Sequence, residues 1–465
     1  MNLIILLPIL ACWVALARGS AQKALINVYL PVVLLLPQYF YLRFPHLPPL
    51  TFADAAMLPL GAAMVWTQMR RWRWSWMDLW VLLFAASAAL SEGLNTLAAN
   101  GGLQLFAELM TVVLPYMAGK LLIEQDVRQE GFEGQPGRKM LVRRMVMLLA
   151  IVGCVSVYDF AAGSNSWQIA FRPFFPADQW ADVANNWPMQ MRWGFGRIAG
   201  PYAHAILAGM IFLMGLFYCL WLRRFTPSWG SRRLVEGMPV TGRGLVLTAI
   251  AAGLLMTQSR GPWVGVGLAL LFALLARLLP WGKAAVVFAL LVTVLAAGAY
   301  NYGKQYTEKE LSQASDEEQR DAIYRRDLLR NYTPVIMERK AFGWGISAHP
   351  EVNGQISIDN EYLMLALTQG FTGLGLFLAV VAGTAARLFR LVGWPLWPED
   401  RGLVFAHLAI LIGLMITLLT GFLGEQTLIL FFLIAGWVQA MNPVVLGEGS
   451  GNASTQRFRF NRVMT

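Results

Sequence analysis

Apolar runs long enough to cross a bilayer alternate along the chain with shorter polar segments. Each run of about 18 or more apolar residues is a candidate transmembrane helix. A chain in lipid must satisfy its backbone hydrogen bonds internally, and continuous runs favour helices over the alternating strands of a barrel. The pattern therefore predicts an all-α polytopic transmembrane helix bundle of about 12–13 spans. The predicted spans are 1–17, 24–42, 51–69, 78–99, 103–122, 141–162, 198–222, 243–259, 262–280, 282–302, 360–386, 402–420 and 426–443.

Composition and charge support this class. The chain of 465 residues is 57% hydrophobic and 14% charged, whereas a soluble domain has about 25% charged residues. A net charge of +10 could indicate nucleic-acid binding, but the basic residues cluster in short loops between spans, as they do on the cytoplasmic side of membrane proteins. We therefore expect no nucleic-acid partner. The first run lacks a basic start and a clear cleavage site, so we expect it to be retained.

Two long polar segments, 163–196 and 302–358, interrupt the apolar pattern. Because the basic loops are assigned to the cytoplasm, both segments fall on the opposite face, which is the periplasm in a Gram-negative cell. Long ordered loops are usually functional. The predicted organisation is an N-terminal bundle that includes the smaller segment, a large periplasmic loop, a group of C-terminal helices and a disordered cytoplasmic tail, with the boundaries 1–301, 302–358, 359–443 and 444–465.

The large loop contains two predicted helices. Glu308–Arg330 carries acidic residues early and basic residues late, which suits the helix dipole. Thr333–Arg339 is a second helical piece. Gly343 and Gly345 follow it, and we expect a turn or a close approach of the backbone there.

Two arginines lie where the predicted topology meets the outer membrane surface. Arg260 separates two apolar runs that almost touch, and Pro262 suits the first turn of the helix that follows. Arg197 lies at the entry to another span. A permanent charge there is costly unless it is paired or faces water, which favours a functional role over an arginine that only reaches the headgroups. The planar guanidinium matches pairs of phosphate oxygens, so two such arginines suit a diphosphate.

His204 lies seven residues after Arg197. If the segment stays helical through Pro201, both residues lie on one helical face, two turns apart. A hydrogen-bonded core histidine is an equally good interpretation of His204.

Asp359 and Asn360 open the span that follows the large loop. Both residue types are preferred N-caps, and a carboxylate complements the positive end of a helix. Asp359 could also act as a general base that takes a proton from a sugar hydroxyl. The residues alone favour the cap, although the two roles are compatible.

Three arginines of the large loop, Arg325, Arg326 and Arg330, could bind anionic headgroups or a glycan, although a solvated charged face is the more ordinary interpretation. Arg326 and Arg330 share a helical face. The four histidines and three cysteines show no metal-binding spacing, and the glycine-rich phosphate motifs are absent from the sequence. We expect no metal and no cofactor.

In their order, these segments resemble the O-antigen ligase and polymerase superfamily, polytopic enzymes of bacterial surface polysaccharide assembly. The resemblance covers roughly residues 195–385 in its motifs. The segments that carry it are Arg197 with Gly200–His204, Ser259–Trp263, Tyr324–Arg326, Arg339–Gly345, and Asp359–Leu363 running into Gly370–Gly375.

The resemblance implies a GT-C-like glycosyltransferase of the bacterial inner membrane that uses neither a metal nor a nucleotide sugar. The donor would be a glycan on undecaprenyl diphosphate. The acceptor would be a second lipid-linked glycan in a polymerase or lipid A–core in a ligase. Asp359-Asn360-Glu361-Tyr362-Leu363 looks more like the exopolysaccharide-polymerase members, which favours the polymerase.

The same resemblance implies roles for the candidate residues. Arg197 and Arg260 look like the diphosphate-binding pair, with His204 beside them. Family ligases usually have a histidine where this chain has Asp359, so the base is Asp359, nearby His349 or a group from elsewhere. The glycan path would be lined by Arg325, Arg326, Arg330, Asn360 and Tyr362.

Two other classes remain as alternatives. A polysaccharide transporter or flippase often shows inverted repeats and sites near the midplane, whereas this sequence shows no repeat and its candidates lie at one membrane end. A non-catalytic scaffold of an assembly complex would not depend on the two arginines. For the glycosyltransferase, the expected partners also include membrane lipids and other proteins of polysaccharide assembly.

Overall fold

The computed structural model describes residues 2–43, 48–124, 137–233, 241–308, 313, 315–352, 355 and 357–442. The predicted tail over 444–465 and part of the predicted helix that starts at Glu308 lie outside these residues.

Helices make up most of the described structure. Their bounds are α1 (Leu3–Ala17), α2 (Ala21–Leu35), α3 (Phe52–Gln68), α4 (Trp76–Asn95), α5 (Ala98–Leu122), α6 (Gly137–Ala162), α7 (Ser166–Phe171), α8 (Ala177–Asn186), α9 (Ala205–Phe225), α10 (Gly242–Met256), α11 (Arg260–Leu278), α12 (Trp281–Tyr306), α13 (Glu317–Glu338), α14 (Glu361–Thr368), α15 (Gly370–Val392), α16 (Pro398–Thr417) and α17 (Glu425–Ala440). Two antiparallel pairs of strands lie in the connections: β1 (Tyr41–Leu42) with β2 (Leu50–Thr51), and β3 (Met191–Arg192) with β4 (Phe195–Gly196).

The all-α polytopic architecture is confirmed. Within the described residues, eight helices are long and apolar enough to cross a membrane, namely α4, α5, α6, α9, α11, α12, α15 and α16. Four shorter apolar helices, α1, α2, α10 and α17, accompany them. The most apolar stretch of α9 is 94% buried, whereas that of α12 is only 6% buried. Helix α9 is therefore central in the bundle, and α12 lies at its periphery.

Close helix packing depends on glycine in the centre of the bundle. Helices α5 and α17 cross where Gly119 faces Gly436. A Cβ atom at Gly119 would lie 2.0 Å from the Leu433 carbonyl oxygen, and one at Gly436 would lie 1.9 Å from that of Tyr116. Membrane helices approach closely where such small residues meet, so neither position has room for a side chain.

The ends of several helices meet at one end of the bundle, which we call the cleft end. The Glu361 N–H that begins α14 donates to the carbonyls of Leu418 and Gly421 beyond the end of α16, at 3.1 and 2.9 Å. The His204 ring, which precedes α9, lies 5.8 Å from that of Phe422. Helices α9 and α11 therefore run away from the cleft end, and α16 runs towards it.

Two predicted elements of the large loop are corrected. The pieces Glu308–Arg330 and Thr333–Arg339 are not separate helices, since α13 runs from Glu317 to Glu338 through Pro334. A proline removes one backbone donor but does not end every helix. Asp316, the N-cap, accepts the backbone N–H of Gln319 at 2.6 Å, which explains why the regular helix begins there.

Three predicted spans are broken or only partly helical. The run 360–386 is two helices, α14 and α15, that break at Gly370 with φ of +68°. The run 198–222 becomes helical only at Ala205, because Gly200 takes φ of +62° and Pro201 follows in a turn. The run 24–42 ends as helix at Leu35. Glycine adopts such positive φ values without strain. Hydropathy does not depend on φ, so it did not reveal the breaks at Gly200 and Gly370.

Candidate active site

Two cavities open beside each other at the cleft end. The first has a volume of about 730 Å³ and the second about 520 Å³. The two cavities share four lining residues, Gln190, Arg197, His204 and Asp359. These residues therefore form the common wall of one continuous cleft.

A strained turn between α10 and α11 forms one side of this wall. Gln258 lies in it with φ of +49°, a conformation that non-glycine residues seldom adopt. Arg197 donates from Nε to the Thr257 carbonyl at 3.3 Å and from a terminal nitrogen to the Ser259 hydroxyl at 2.9 Å. Its other terminal nitrogen donates to the Gln190 side chain. The Arg197 fork is thus fixed on three sides.

Arg192 binds the same turn from the adjacent strand. It donates to the Gln258 carbonyl at 2.8 Å and to the carboxylate of Asp321 at 3.2 Å. Burial, and then the charge of Arg192, lowers the pKa of Arg197 to about 10. Arg197 therefore remains a cation at neutral pH, held in a buried position that an anionic ligand would complement.

Arg260 lies at the mouth of the second cavity as the first residue of α11. It forms an ion pair with Glu318 of α13, and its guanidinium carbon lies 5.7 Å from the centre of the Trp193 ring. The side chains of Arg260 and Glu318 are 40% and 53% exposed. Exposed pairs of this kind contribute little stability, so Arg260 can exchange Glu318 for another anion.

Helix α13 lines the second cavity with Asp321 and, one turn later, with Tyr324 and Arg325. The Tyr324 hydroxyl donates to the Ser357 carbonyl at 2.7 Å. The Ser357 hydroxyl in turn donates to the Asp359 carboxylate at 2.8 Å. The outer helix therefore positions the segment that carries Asp359 beside the arginines.

His204 is the N-cap of α9 and presents a hydrogen-bond donor to the cleft. Its Nδ1 accepts the backbone N–H of Ile206 at 3.1 Å. Burial, and then the charge of Arg197, lowers the pKa of His204 to about 4. The ring is neutral at physiological pH, and because Nδ1 accepts, Nε2 carries the proton. The helical geometry expected between Arg197 and His204 is wrong, since the segment between them is a turn, yet both reach the same wall.

His349 has the opposite arrangement in the first cavity. Its Nδ1 lies 2.7 Å from the Ile346 carbonyl oxygen, which can only accept a hydrogen bond. A neutral His349 therefore carries its proton on Nδ1 and a lone pair on Nε2. The side chain lines the first cavity and not the second.

The cap of α14 is Asn360 rather than Asp359. The Asn360 side chain accepts the Leu363 N–H at 3.1 Å, and its amide donates to the Leu419 carbonyl at 3.2 Å. Asp359 is left with the Ser357 hydroxyl and the cleft. Asp359 and Asn360, which by sequence are both possible caps, therefore have different surroundings.

The loop that carries His349 is held against α4 and the break between α14 and α15. Glu92 accepts the backbone N–H groups of Ile346 and Ser347 at 2.7 and 3.1 Å. Gly343 and Gly345 have φ of +69° and +80°. Gly343 lies against the backbone of the break, and Gly345 lies against Glu92 and donates its N–H to the Thr368 carbonyl at 2.9 Å. The expected turn and close approach at these glycines are confirmed.

Four of the candidate glycan ligands lie away from the lining of these two cavities. Asn360 caps its helix, and the Tyr362 hydroxyl donates to the Met415 carbonyl at 2.9 Å. Arg326 pairs with Asp327 and also donates to the Thr307 carbonyl, whereas Arg330 is exposed. Of the five, only Arg325 lines the cleft.

Sequence reasoning missed several lining residues. Gln190 directly precedes the short strand β3 and Arg192 ends it, in a part of the sequence without a recognisable motif. Glu361 and Glu108 are 8% and 6% exposed and line the first cavity, where one Glu108 oxygen has no hydrogen-bond partner among the described residues. Glu108 did carry a signal, because an ionisable residue within an apolar run is a functional candidate.

Residues 244–378 match the family model described as O-antigen ligase. This match covers 135 of the 465 residues and supports the resemblance to the O-antigen ligase and polymerase superfamily. No curated protein matches the chain. The matched O-antigen ligase segment includes Arg260, Tyr324, Arg325 and Asp359, while Arg197 and His204 lie before it.

The family match and the eight apolar helices indicate a multi-pass membrane protein with an O-antigen ligase or polymerase type of function in polysaccharide assembly. Lipid-linked glycans are the substrates that this O-antigen ligase family implies.

Proposed function

We propose that the protein is an inverting membrane glycosyltransferase that joins glycan repeat units carried on undecaprenyl diphosphate. The observation that carries this proposal is that Arg197, Arg260 and Asp359 all line the second cavity of the cleft, and that Arg197 and Asp359 also line the first. A polytopic bundle with its cleft at one membrane end suits a substrate whose lipid stays in the bilayer. We assign the cleft end to the periplasmic face of the inner membrane and the fold to the GT-C-like type.

The second cavity suits the diphosphate. Arg197 is a fixed anchor because the protein holds its fork, and Arg260 is a mobile arm because its partner Glu318 is exposed. Arg192 and Arg325 add positive charge to the same cavity. The neutral His204 can donate from Nε2 to a phosphate oxygen.

The first cavity suits the acceptor. Amide side chains, including Asn185, Asn186 and Gln369, line it together with the carboxylates of Glu108 and Glu361. Such donors and acceptors match sugar hydroxyl groups. The acceptor would be the end of a second lipid-linked glycan in a polymerase.

The reaction centre would then lie where the two cavities meet. The acceptor hydroxyl attacks the anomeric carbon, the bond from that carbon to the diphosphate oxygen breaks, and the configuration inverts. Undecaprenyl diphosphate leaves with the bonding electrons, and Arg197 and Arg260 stabilise its developing charge. Asp359 lines both cavities, which supports it over His349 as the base that takes the hydroxyl proton.

A second candidate function is O-antigen ligase, because the matching family model carries that description. The donor half of the reaction is the same. The acceptor would be lipid A–core in place of a lipid-linked glycan.

A product assay distinguishes these functions. Purified protein in detergent is incubated with labelled undecaprenyl-diphosphate repeat units, with and without lipid A–core. A ladder of longer lipid-linked chains in the absence of lipid A–core supports the polymerase, and product that requires lipid A–core supports the ligase. Absence of product in both reactions contradicts the glycosyltransferase and favours a transporter, which acts only across a sealed membrane.

A further inference from the structure

An apolar groove lies at the end of the bundle opposite the cleft. It has a volume of about 540 Å³ and runs between α9, α11 and α16. Phe217, Leu220 and Phe405 are among its apolar walls. These are the same three helices whose other ends line the cleft with His204, Arg260 and Thr420.

The groove lies at a defined depth. A helix of 21 residues, the length of α9, spans about 30 Å, which matches the hydrocarbon thickness of a bilayer. If the cleft lies at one membrane surface, the far ends of these helices lie at the other. The apolar walls then face the acyl-chain region, and the rim lies at headgroup level.

Three arginines form the rim, one from each helix: Arg224 of α9, Arg277 of α11 and Arg401 of α16. Among the described residues, none of the three forms an ion pair with a carboxylate. The nearest acidic residues in sequence, Glu399 and Asp400, bind Lys139 and Arg138 at 2.9 and 2.7 Å. The positive rim therefore has no internal counter-charge from those two groups.

We propose that this groove binds an anionic phospholipid, with its phosphate on the three arginines and an acyl chain between the helices. Charge complementarity selects this occupant, because basic pockets between membrane helices bind anionic headgroups. Basic residues are common at the cytoplasmic ends of membrane helices, but here one arginine from each of three helices lines the same apolar groove. The proposal does not depend on the proposed function.

The site is also coupled to the cleft through shared helices. Helices α9 and α11 carry Arg224 and Arg277 at one end and His204 and Arg260 at the other. A lipid in the groove would fix the spacing of these helices, and the protein should gain thermal stability when the lipid binds.

The test is lipid binding by native mass spectrometry on the purified full-length chain. Phosphatidylglycerol and phosphatidylcholine with identical acyl chains are titrated in parallel, together with glycerol 3-phosphate as a headgroup without chains. We expect one phosphatidylglycerol to bind at least tenfold more tightly than phosphatidylcholine. The triple variant Arg224→Gln, Arg277→Gln, Arg401→Gln should lose that preference.

A matched triple variant controls for overall charge. Arg70→Gln, Arg71→Gln, Arg73→Gln removes three exposed arginines before α4 at the same end of the bundle and should bind phosphatidylglycerol as the wild type does. Ala273→Trp fills the groove from an exposed position without changing its charge, and should weaken binding of the lipid.

Several results would overturn the proposal. They are an equal loss in both triple variants, equal binding of the two lipids by the wild type, or unchanged binding in Ala273→Trp. Binding of glycerol 3-phosphate as tight as that of the lipid would show a headgroup site alone and would also reject the groove.

Discussion

Arg197 donates to the Ser259 hydroxyl at 2.9 Å, so the N-cap residue of α11 holds one arginine of the proposed pair and directly precedes the other, Arg260. The positions of the two guanidinium groups are thereby linked through one turn. The positive φ of Gln258 in that turn stores strain, which is common where a site must be held in a particular shape.

The ion pair between Arg260 and Glu318 competes with the proposed diphosphate. Glu318→Gln removes the competing charge at an exposed position, where such pairs contribute about 0.2–1 kcal/mol. We expect the KM for the lipid-linked donor to fall roughly two- to fivefold. An unchanged or higher KM in steady-state assays would show that Glu318 orients Arg260 instead.

Asp359 and His349 can be separated as bases by kinetics. Asp359→Asn keeps the shape of the side chain and removes its ability to take a proton. We expect kcat to fall about 10²- to 10⁴-fold, with little change in donor KM. His349→Gln should lower kcat less than about fivefold, because its ring lies in the first cavity alone. The reverse order would assign the base to His349.

The sequence predicted most of the fold because lipid imposes a simple pattern. Every predicted apolar run overlaps at least one observed helix, since a spanning segment must be both apolar and internally hydrogen-bonded. Hydropathy could not reveal the breaks at Gly200 and Gly370, because a glycine in a left-handed conformation has the same hydropathy as one that packs between helices.

The candidate site was predicted in part. Charged residues at the ends of apolar runs directed attention to Arg197, Arg260 and Asp359, and all three line the cleft. The contacts that organise them, such as that between Arg197 and the Thr257 carbonyl, join residues sixty positions apart. Arg192 enters the site through a contact of this kind with the Gln258 carbonyl, and Gln190 through its contact with Arg197, seven positions later. No local pattern of side chains indicates either contact.

His204 should make stability depend on pH. Its pKa of about 4 in the folded protein lies below the ordinary value of 6.5, so the unfolded chain takes up a proton first as the pH falls. The free energy of unfolding is therefore unaffected by His204 above pH 6.5. It decreases as the pH falls from 6.5 towards 4, by a total of about 3 kcal/mol. His204→Asn keeps a good N-cap without titrating.

Thermal unfolding of the wild type and His204→Asn in the same detergent measures this effect. Between pH 7 and pH 4.5 the melting temperature of the wild type should fall further than that of the variant. Equal falls in the two proteins would mean that His204 is protonated in the folded state as readily as in the unfolded one.

Gly370 and Gly375 form a matched pair within α15. A Cβ atom at Gly370 would lie 2.4 Å from the Ala341 carbonyl oxygen at a φ of +68°, whereas nothing lies within 4 Å of one at Gly375. We expect Gly370→Ala to destabilise the protein by about 1–3 kcal/mol and to displace the loop that carries His349. Gly375→Ala should be neutral or slightly stabilising. Similar melting temperatures for both variants would contradict the close approach.

The central claim is that Arg197 and Arg260 bind a lipid diphosphate. The most direct measurement is the affinity of purified protein for undecaprenyl diphosphate without a glycan, compared with undecaprenol. Arg197→Gln and Arg260→Gln are tested against Arg330→Gln, an exposed arginine outside the lining of either cleft cavity. Loss of a charge-assisted contact of about 1.5–3 kcal/mol should weaken diphosphate binding at least tenfold in the first two variants and leave the third unchanged. Equal affinity in all three variants, or binding of undecaprenol as tight as that of the diphosphate, would contradict the account.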